Sequence, residues 1–132
     1  MEDGRDRSLL IVTTSDIAGT VIRDMKDHNY ARFTLSGIAI IDRDMTGKVI
    51  SGIPVVSNRE NTPDYICQQW IDEVLVVPSE DAEYPEDLMK KMTETGVTVH
   101  LNLAKVSNTR GKKQFVEQIG TYTVLTTTMN YA

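Results

Sequence analysis

The stretch Ser8-Leu-Leu-Ile-Val-Thr-Thr-Ser-Asp16 decides the fold. It begins with a short apolar and β-branched run, residues 8–13, which is typical of a strand buried on both faces. The polar side chains that follow can accept hydrogen bonds from helix N–H groups, and apolar residues then recur at helical spacing from Ile17 to about His28. The pattern predicts a strand that leads directly into a helix.

Strands and helices continue to alternate along the chain. The further elements predicted from periodicity and from Pro and Gly positions are strands at residues 33–41, 73–77 and 97–101, and helices over residues 62–70 and from about residue 84 to Gly96. Thr62 is expected to cap its helix, with Pro63 in the first turn. Cys67, on the same amphipathic helix, is expected to be a small buried thiol.

Two parts of the chain fit this alternation less directly. Val49 to Val56 is interrupted by Gly52 and Pro54. It is predicted to be an extended edge segment, because proline cannot donate a hydrogen bond to a central strand. Residues 115–119 and 121–126 are expected to form a final strand pair, with a short helix over the first stretch as the alternative.

Strands that alternate with helices of this length indicate an α/β fold. We predict a three-layer, Rossmann-like, doubly wound and mainly parallel sheet with helices on both faces. A chain of 132 residues suits one domain, which we place at residues 8–132, after a polar tail at residues 1–7.

Composition narrows the functional classes. A formal charge of −5 and a pI near 5.0 disfavour a nucleic-acid partner. The apolar stretches are too short to insert into a bilayer, and the N-terminus lacks a secretory signal. A single cysteine cannot form an internal disulfide, which fits a reducing compartment. These features favour a cytoplasmic location.

The predicted fold places a ligand site beyond the carboxyl ends of the strands, where the strand order reverses. A dinucleotide fold normally has G-x-G-x-x-G there, so that the backbone can approach the pyrophosphate. This chain has Thr13, Thr14, Ser15 and Asp16, and only Gly19 matches the last glycine. The Asp16 charge would compete with a phosphate for the N–H groups of the helix.

Two interpretations of this turn follow. In the first, Ser15 or Asp16 caps the helix and no ligand binds. In the second, residues 13–16 hold a nucleotide, a nucleotide sugar or CoA, together with Asp42, at the position expected for a ribose-binding carboxylate, and Ser79, at another strand-to-helix junction. The residues specify no cofactor.

No catalytic or metal-binding group is predicted. His100 has no nearby cysteine or second histidine and is expected to be neutral and hydrogen bonded. Ser15 lacks the flanking glycines of a nucleophile elbow. No tyrosine is followed four residues later by lysine, so the acid–base pair of short-chain sugar-nucleotide oxidoreductases is missing.

Several stretches together resemble one family. They are Leu10-Ile-Val-Thr-Thr-Ser15; Gly37-Ile-Ala-Ile-Ile-Asp-Arg-Asp-Met45 with Gly52-Ile-Pro-Val-Val56; Asp72-Glu-Val-Leu-Val-Val77; and Gly96-Val-Thr-Val-His-Leu-Asn102 with Thr123-Val-Leu-Thr-Thr-Thr-Met-Asn-Tyr-Ala132. They resemble the cytosolic middle domain of bacterial polyprenyl glycosylphosphotransferases, which start capsule and exopolysaccharide synthesis on undecaprenyl phosphate. The Gly-Ile-Pro-Val-Val and Asn-Tyr-Ala segments are the most specific.

This resemblance implies a non-catalytic regulatory or scaffolding domain at the cytosolic face of the inner membrane. Its partners would be the catalytic and transmembrane domains of a parent sugar-phosphate transferase, or a second copy of itself. The alternative function is a ligand-binding module for a nucleotide, a nucleotide sugar or CoA. A third hypothesis is a small NAD-dependent sugar-nucleotide oxidoreductase.

Overall fold

Strands and helices alternate through most of the chain, as the hydrophobic pattern requires. The computed structural model describes residues 7–28, 33–79, 82–102, 113–119 and 122–128. In these residues the strands are β1 (Arg7–Thr13), β2 (Phe33–Ile40), β3 (Val49–Ile50), β4 (Ile53–Ser57), β5 (Glu73–Val77), β6 (Thr98–Asn102), β7 (Lys113–Ile119) and β8 (Tyr122–Thr128). The helices are α1 (Ala18–His28), α2 (Thr62–Gln69) and α3 (Glu86–Glu94).

The described strands form one sheet in the order β3-β4-β2-β1-β5-β6-β8-β7. Five adjacent strands of the sheet, β4, β2, β1, β5 and β6, are mutually parallel. Strand β3 pairs antiparallel with β4, and β8 pairs antiparallel with β6. From β1 the chain moves outward to β2 and β4, and then returns to β5 on the other side of β1. This reversal is the mark of a doubly wound sheet and confirms the predicted fold class.

Both faces of the sheet are buried, which explains the unbroken apolar run in β1. Leu9 and Ile11 point to the face that α1 covers, and Leu10 and Val12 point to the face shared by α2 and α3. All four side chains have no exposed surface. Helices therefore lie on both sides of the sheet, and the three-layer arrangement follows.

The segment from Val49 to Val56 differs from its prediction. It forms a hairpin, β3 and β4, that turns at Ser51 and Gly52, both of which have positive φ. The N–H and C=O of the next residue, Val55, face β3, so the nitrogen of Pro54 faces β2, and the parallel pairing of β4 with β2 begins only at Val55. The segment lies at the edge of the sheet, as predicted, but as a two-strand hairpin and not as one extended segment, because the residues after the proline can still pair with β2.

Two predictions for α2 were also wrong. Thr62 lies within the helix, and its hydroxyl donates to the carbonyl oxygen of Asn58 at 2.5 Å. Asn61 holds the N-cap position. Cys67 is exposed, because the neighbouring Ile66 takes the position that faces the core.

The other element predictions agree with the structure to within a residue or two. The antiparallel pair β7 and β8 confirms the final strand pair, and the alternative of a helix at residues 115–119 is wrong. The last residue of the predicted tail, Arg7, is the first residue of β1, and residues 1–6 lie outside the described part. No helix of the described residues is long and apolar enough to cross a bilayer.

Candidate functional site

The predicted site residues lie at the carboxyl edge of the parallel strands. Thr13 ends β1, Asp42 comes two residues after β2, and Ser79 comes two residues after β5. Since β1 lies between β2 and β5, this edge contains the point at which the strand order reverses. In doubly wound sheets this is the usual place for a ligand.

Ser15 and Asp42 contact each other directly. The backbone N–H of Ser15 donates to Asp42 Oδ1 at 2.8 Å, and its hydroxyl donates to Oδ2 at 2.7 Å. Partial burial acts to raise the pKa of Asp42, but the hydrogen bonds from Ser15 outweigh it and hold that pKa below its ordinary value. At neutral pH the carboxylate is therefore ionised and joins the turn before α1 to the segment after β2.

Thr13 and Thr14 are directed into the protein. The Thr13 hydroxyl donates to the carbonyl oxygen of Val77 at 2.5 Å and links the ends of β1 and β5. The Thr14 hydroxyl donates to Asp16 Oδ1, also at 2.5 Å. Both threonines are buried, whereas Asp16 is exposed. The threonines thus shape the turn, and Asp16 and Ser15 are its accessible side chains.

The turn is not capped as predicted. The Ser15 hydroxyl donates its hydrogen bond to Asp42. In the described part of the chain, the Asp16 carboxylate accepts a hydrogen bond from the Thr14 hydroxyl and not from a helix N–H group. The carboxylate of Asp42, in the segment after β2, therefore holds the N–H of Ser15, where a dinucleotide fold would present backbone N–H groups to a phosphate. The prediction that Ser15 or Asp16 caps α1 was wrong.

Ser79 lies on the same edge but makes no contact with Asp42 in the described residues. Its carbonyl oxygen accepts a hydrogen bond from the N–H of Ala82 at 3.1 Å, and its side chain is half-buried. The structure therefore brings Ser15, Asp42 and the turn residues together, and places Ser79 at the end of the neighbouring strand.

A second polar group, at the amino end of β5, was not predicted. Glu73 is 6% exposed, and it accepts hydrogen bonds from Arg7 Nε and from His100 Nε2, the latter at 2.5 Å. His100 Nδ1 lies 2.6 Å from the Thr126 hydroxyl, so the prediction of a hydrogen-bonded histidine is confirmed. Burial acts to raise the pKa of Glu73, but His100 and Arg7 hold it below its ordinary value.

The comparisons with known proteins concern the fold. No family model and no curated protein matches the chain. Among solved structures it is similar to "RSP, a Rex-family repressor", with a TM-score of 0.61 and 18% identity over 81% of this chain. It is also similar to RSP in complex with beta-NADH, with a TM-score of 0.62 and 16% identity over 80% of this chain. The chain spans about 50% of the length of these structures.

These neighbours correct the predicted family. They are structures of a repressor and not glycosylphosphotransferase middle domains, so that assignment was wrong. Most of the stretches that suggested it form buried parallel strands, whose apolar and β-branched residues are common to α/β sheets. Gly52-Ile-Pro-Val-Val56 forms the turn of the hairpin and most of β4, and Asn-Tyr-Ala lies outside the described residues. The chain has the Rossmann-like fold that these repressor structures contain.

Proposed function

We propose that this chain is a nucleotide-binding module, with its site at the carboxyl ends of β2, β1 and β5. The observation that carries the proposal is the reversal of strand order at β1, together with Ser15 and Asp42 at that edge. A structure with a similar fold was solved in complex with beta-NADH, which supports a nucleotide as the class of ligand.

The contacts of Asp42 indicate how a nucleotide would be held. An ionised carboxylate only accepts hydrogen bonds, and two vicinal ribose hydroxyls are a matched pair of donors. A nucleotide that takes both oxygens of Asp42 releases the N–H and hydroxyl of Ser15, which can then donate to an oxygen of the same ligand. Two internal hydrogen bonds are thus exchanged for contacts with the ligand.

The same turn limits the phosphate contacts. Residues 13–16 contain no glycine, and the exposed carboxylate of Asp16 lies beside the start of α1. A pyrophosphate would meet that charge at the place where a dinucleotide fold offers N–H groups. We therefore propose that the ribose, and not the phosphate, provides most of the binding free energy.

Titration calorimetry of the chain with NADH, NAD⁺, CoA and a UDP-sugar tests the proposal. We expect at least one of them to bind, and Asp42→Ala to weaken that binding about tenfold, the usual effect of removing hydrogen bonds to a charged group. Asp44→Ala is the matched control, because Asp44 is also exposed and accepts from an N–H and a hydroxyl, both of Thr46 in its own turn. The Asp44→Ala variant should bind the nucleotide with an affinity within about twofold of that of the parent chain.

Two results would contradict the proposal. One is the absence of binding by all four compounds at millimolar concentration. The other is binding that Asp42→Ala and Asp44→Ala weaken equally, because the loss would then come from a general disturbance of the loop and not from a contact with the Asp42 carboxylate.

A further inference from the structure

Trp70 has two unfavourable features for a residue on the surface of a lone domain. Its side chain is 85% exposed. Its backbone is also in the left-handed region, with φ 54° and ψ 47°, at the C-cap of α2. Glycine is the usual residue in this conformation at a helix end, because a residue with a Cβ is strained there. A large aromatic residue kept under both conditions suggests a role in binding.

The position of Trp70 is fixed by hydrogen bonds of its backbone. Its N–H and that of Ile71 both donate to the carbonyl oxygen of Ile66. Its carbonyl oxygen lies 3.3 Å from the Ser8 hydroxyl, which shares its one hydrogen between this oxygen and Asp72 Oδ2. The residue is therefore joined to β1 as well as to α2, and the indole is presented from an ordered backbone.

The indole borders a groove of about 420 Å³ at the amino edge of the sheet. Its other walls come from the end of α2 and from the turn that follows α3, including Ile66, Ile71, Gly96 and Val97. This edge is opposite to the proposed nucleotide site, because the segments that line the groove lead into β5 and β6. The groove is therefore lined by apolar residues that are mostly buried and by the exposed indole of Trp70.

The charge of the groove is negative. Asp72 is the one charged residue among those that line it, and its Oδ1 accepts no hydrogen bond within the described residues. The C-terminal ends of α2 and α3 both lie at the groove, and helix C-termini carry partial negative charge. Lys91 lies in the last turn of α3 but does not line the groove.

We propose that this groove docks an arginine or lysine side chain from a basic segment of a protein partner. The cation would lie over the indole of Trp70, the aromatic ring that attracts cations most strongly, and pair with Asp72 Oδ1. The aliphatic part of the side chain would contact Ile71 and Val97. Charge complementarity selects this occupant, and the interaction does not depend on nucleotide binding at the opposite edge.

Fluorescence of the full chain tests the inference directly, because Trp70 is the only tryptophan. The probes are the peptides acetyl-Gly-Arg-Gly-Arg-Gly-amide and acetyl-Gly-Glu-Gly-Glu-Gly-amide. We expect the arginine peptide to change the emission of Trp70 saturably at about 1 mM or below, with weaker binding as salt is added. The glutamate peptide should produce no saturable change.

Matched variants separate the groove from the general acidity of the chain. Asp72→Asn keeps an oxygen for Ser8 and should weaken arginine-peptide binding about fivefold or more, as expected for a lost charge pair. Asp64 is exposed in the first turn of α2, and Asp64→Asn should leave the affinity for the arginine peptide within about twofold of that of the parent chain. Equal weakening by the two variants, or no saturable response to the arginine peptide, would overturn the proposal.

Trp70→Gly distinguishes binding from a structural role. Glycine suits the left-handed backbone, so this variant should unfold at a temperature higher by roughly 2–5 °C while its calorimetric binding of the arginine peptide is lost. A lower unfolding temperature would mean that the indole serves packing, and would count against the inference. Trp70-dependent dimerisation in sedimentation would also overturn it, because the occupant would then be a second copy of the chain.

Discussion

Ser8 and Ser15 stand at opposite ends of β1, and each binds an aspartate in the same way. The N–H and hydroxyl of Ser8 donate to Asp72 Oδ2 at 2.8 and 3.1 Å. The N–H and hydroxyl of Ser15 donate to the two oxygens of Asp42 at 2.8 and 2.7 Å. The first pair joins β1 to the start of β5, and the second joins the end of β1 to the segment after β2.

The two pairs differ in what else holds them. The Asp72 N–H donates back to the carbonyl and hydroxyl oxygens of Ser8, at 3.2 and 2.9 Å, so the backbones of both residues are joined. Asp42 contacts Ser15 through its carboxylate alone in the described structure. A carboxylate can exchange one set of donors for another without disturbing the sheet. The Ser8–Asp72 pair is thus held by backbone and side-chain hydrogen bonds, whereas the Ser15–Asp42 pair depends on the carboxylate, which a ligand at the proposed site would have to take over.

The most disruptive way to test this comparison is to remove Glu73, which reinforces the amino end. Glu73→Ala deletes the acceptor of His100 Nε2 and of Arg7 in a buried place. We expect the free energy of unfolding to fall by about 2–4 kcal/mol, because a buried charge network loses its anion. Chemical denaturation measures it. Glu94→Ala, exposed at the end of α3, is the control and should change stability by less than about 0.5 kcal/mol.

The Ser–Asp pairs themselves should differ less. Asp72→Ala should lower the free energy of unfolding by about 1–2 kcal/mol, because Ser8 loses its acceptor where β1 and β5 are joined. Asp42→Ala should cost less than about 1 kcal/mol, since water can replace an exposed carboxylate. Denaturant titrations of the two variants measure the difference. If Asp42→Ala proved the more damaging, the carboxyl end would be the structural one, and ligand exchange at Asp42 would lose its basis.

The fold could be predicted from the sequence because burial on two faces leaves a direct signal. An apolar run as short as β1, followed at once by helical spacing, is typical of a buried strand that leads into a helix. The position of the proposed site then follows from strand order. Pro54 favoured a single edge segment over the β3–β4 hairpin, although a proline near the start of a strand leaves the residues after it able to pair.

The contacts within the sites could not be predicted in the same way. Glu73 meets His100 because β5 and β6 pair with Leu75 opposite His100, which places Glu73 diagonally across on the same face. Ser15 meets Asp42 across 27 residues of chain. Periodicity indicates which residues are buried, but it does not give the register that joins two distant polar groups. The exposure of Trp70 likewise depended on where α2 ends.

Acid provides the gentlest test of the comparison, because protonation removes a charge and leaves the side chain in place. Glu73 and Asp42 both have native pKa values below their ordinary values of 4.5 and 3.8. Such a group stabilises the protein fully above its unfolded pKa, and this contribution is lost as the pH falls through the lower native pKa. The unfolded chain binds protons first, so stability must decrease with acidity in this range.

As the pH falls, the amino end of β1 should therefore lose its stabilising contribution before the carboxyl end does. The contribution of Glu73 begins to fall below about pH 4.5, and that of Asp42 only below about pH 3.8. We expect the stability of Glu73→Gln to depend less on pH than that of the parent chain from about pH 4.5 downward, and Asp42→Asn to differ from the parent only at lower pH. Urea titrations at half-unit intervals measure both slopes. If Asp42→Asn showed the larger total divergence from the parent chain, the carboxyl end would carry the larger electrostatic contribution, and the fixed end of β1 would have to be reassigned.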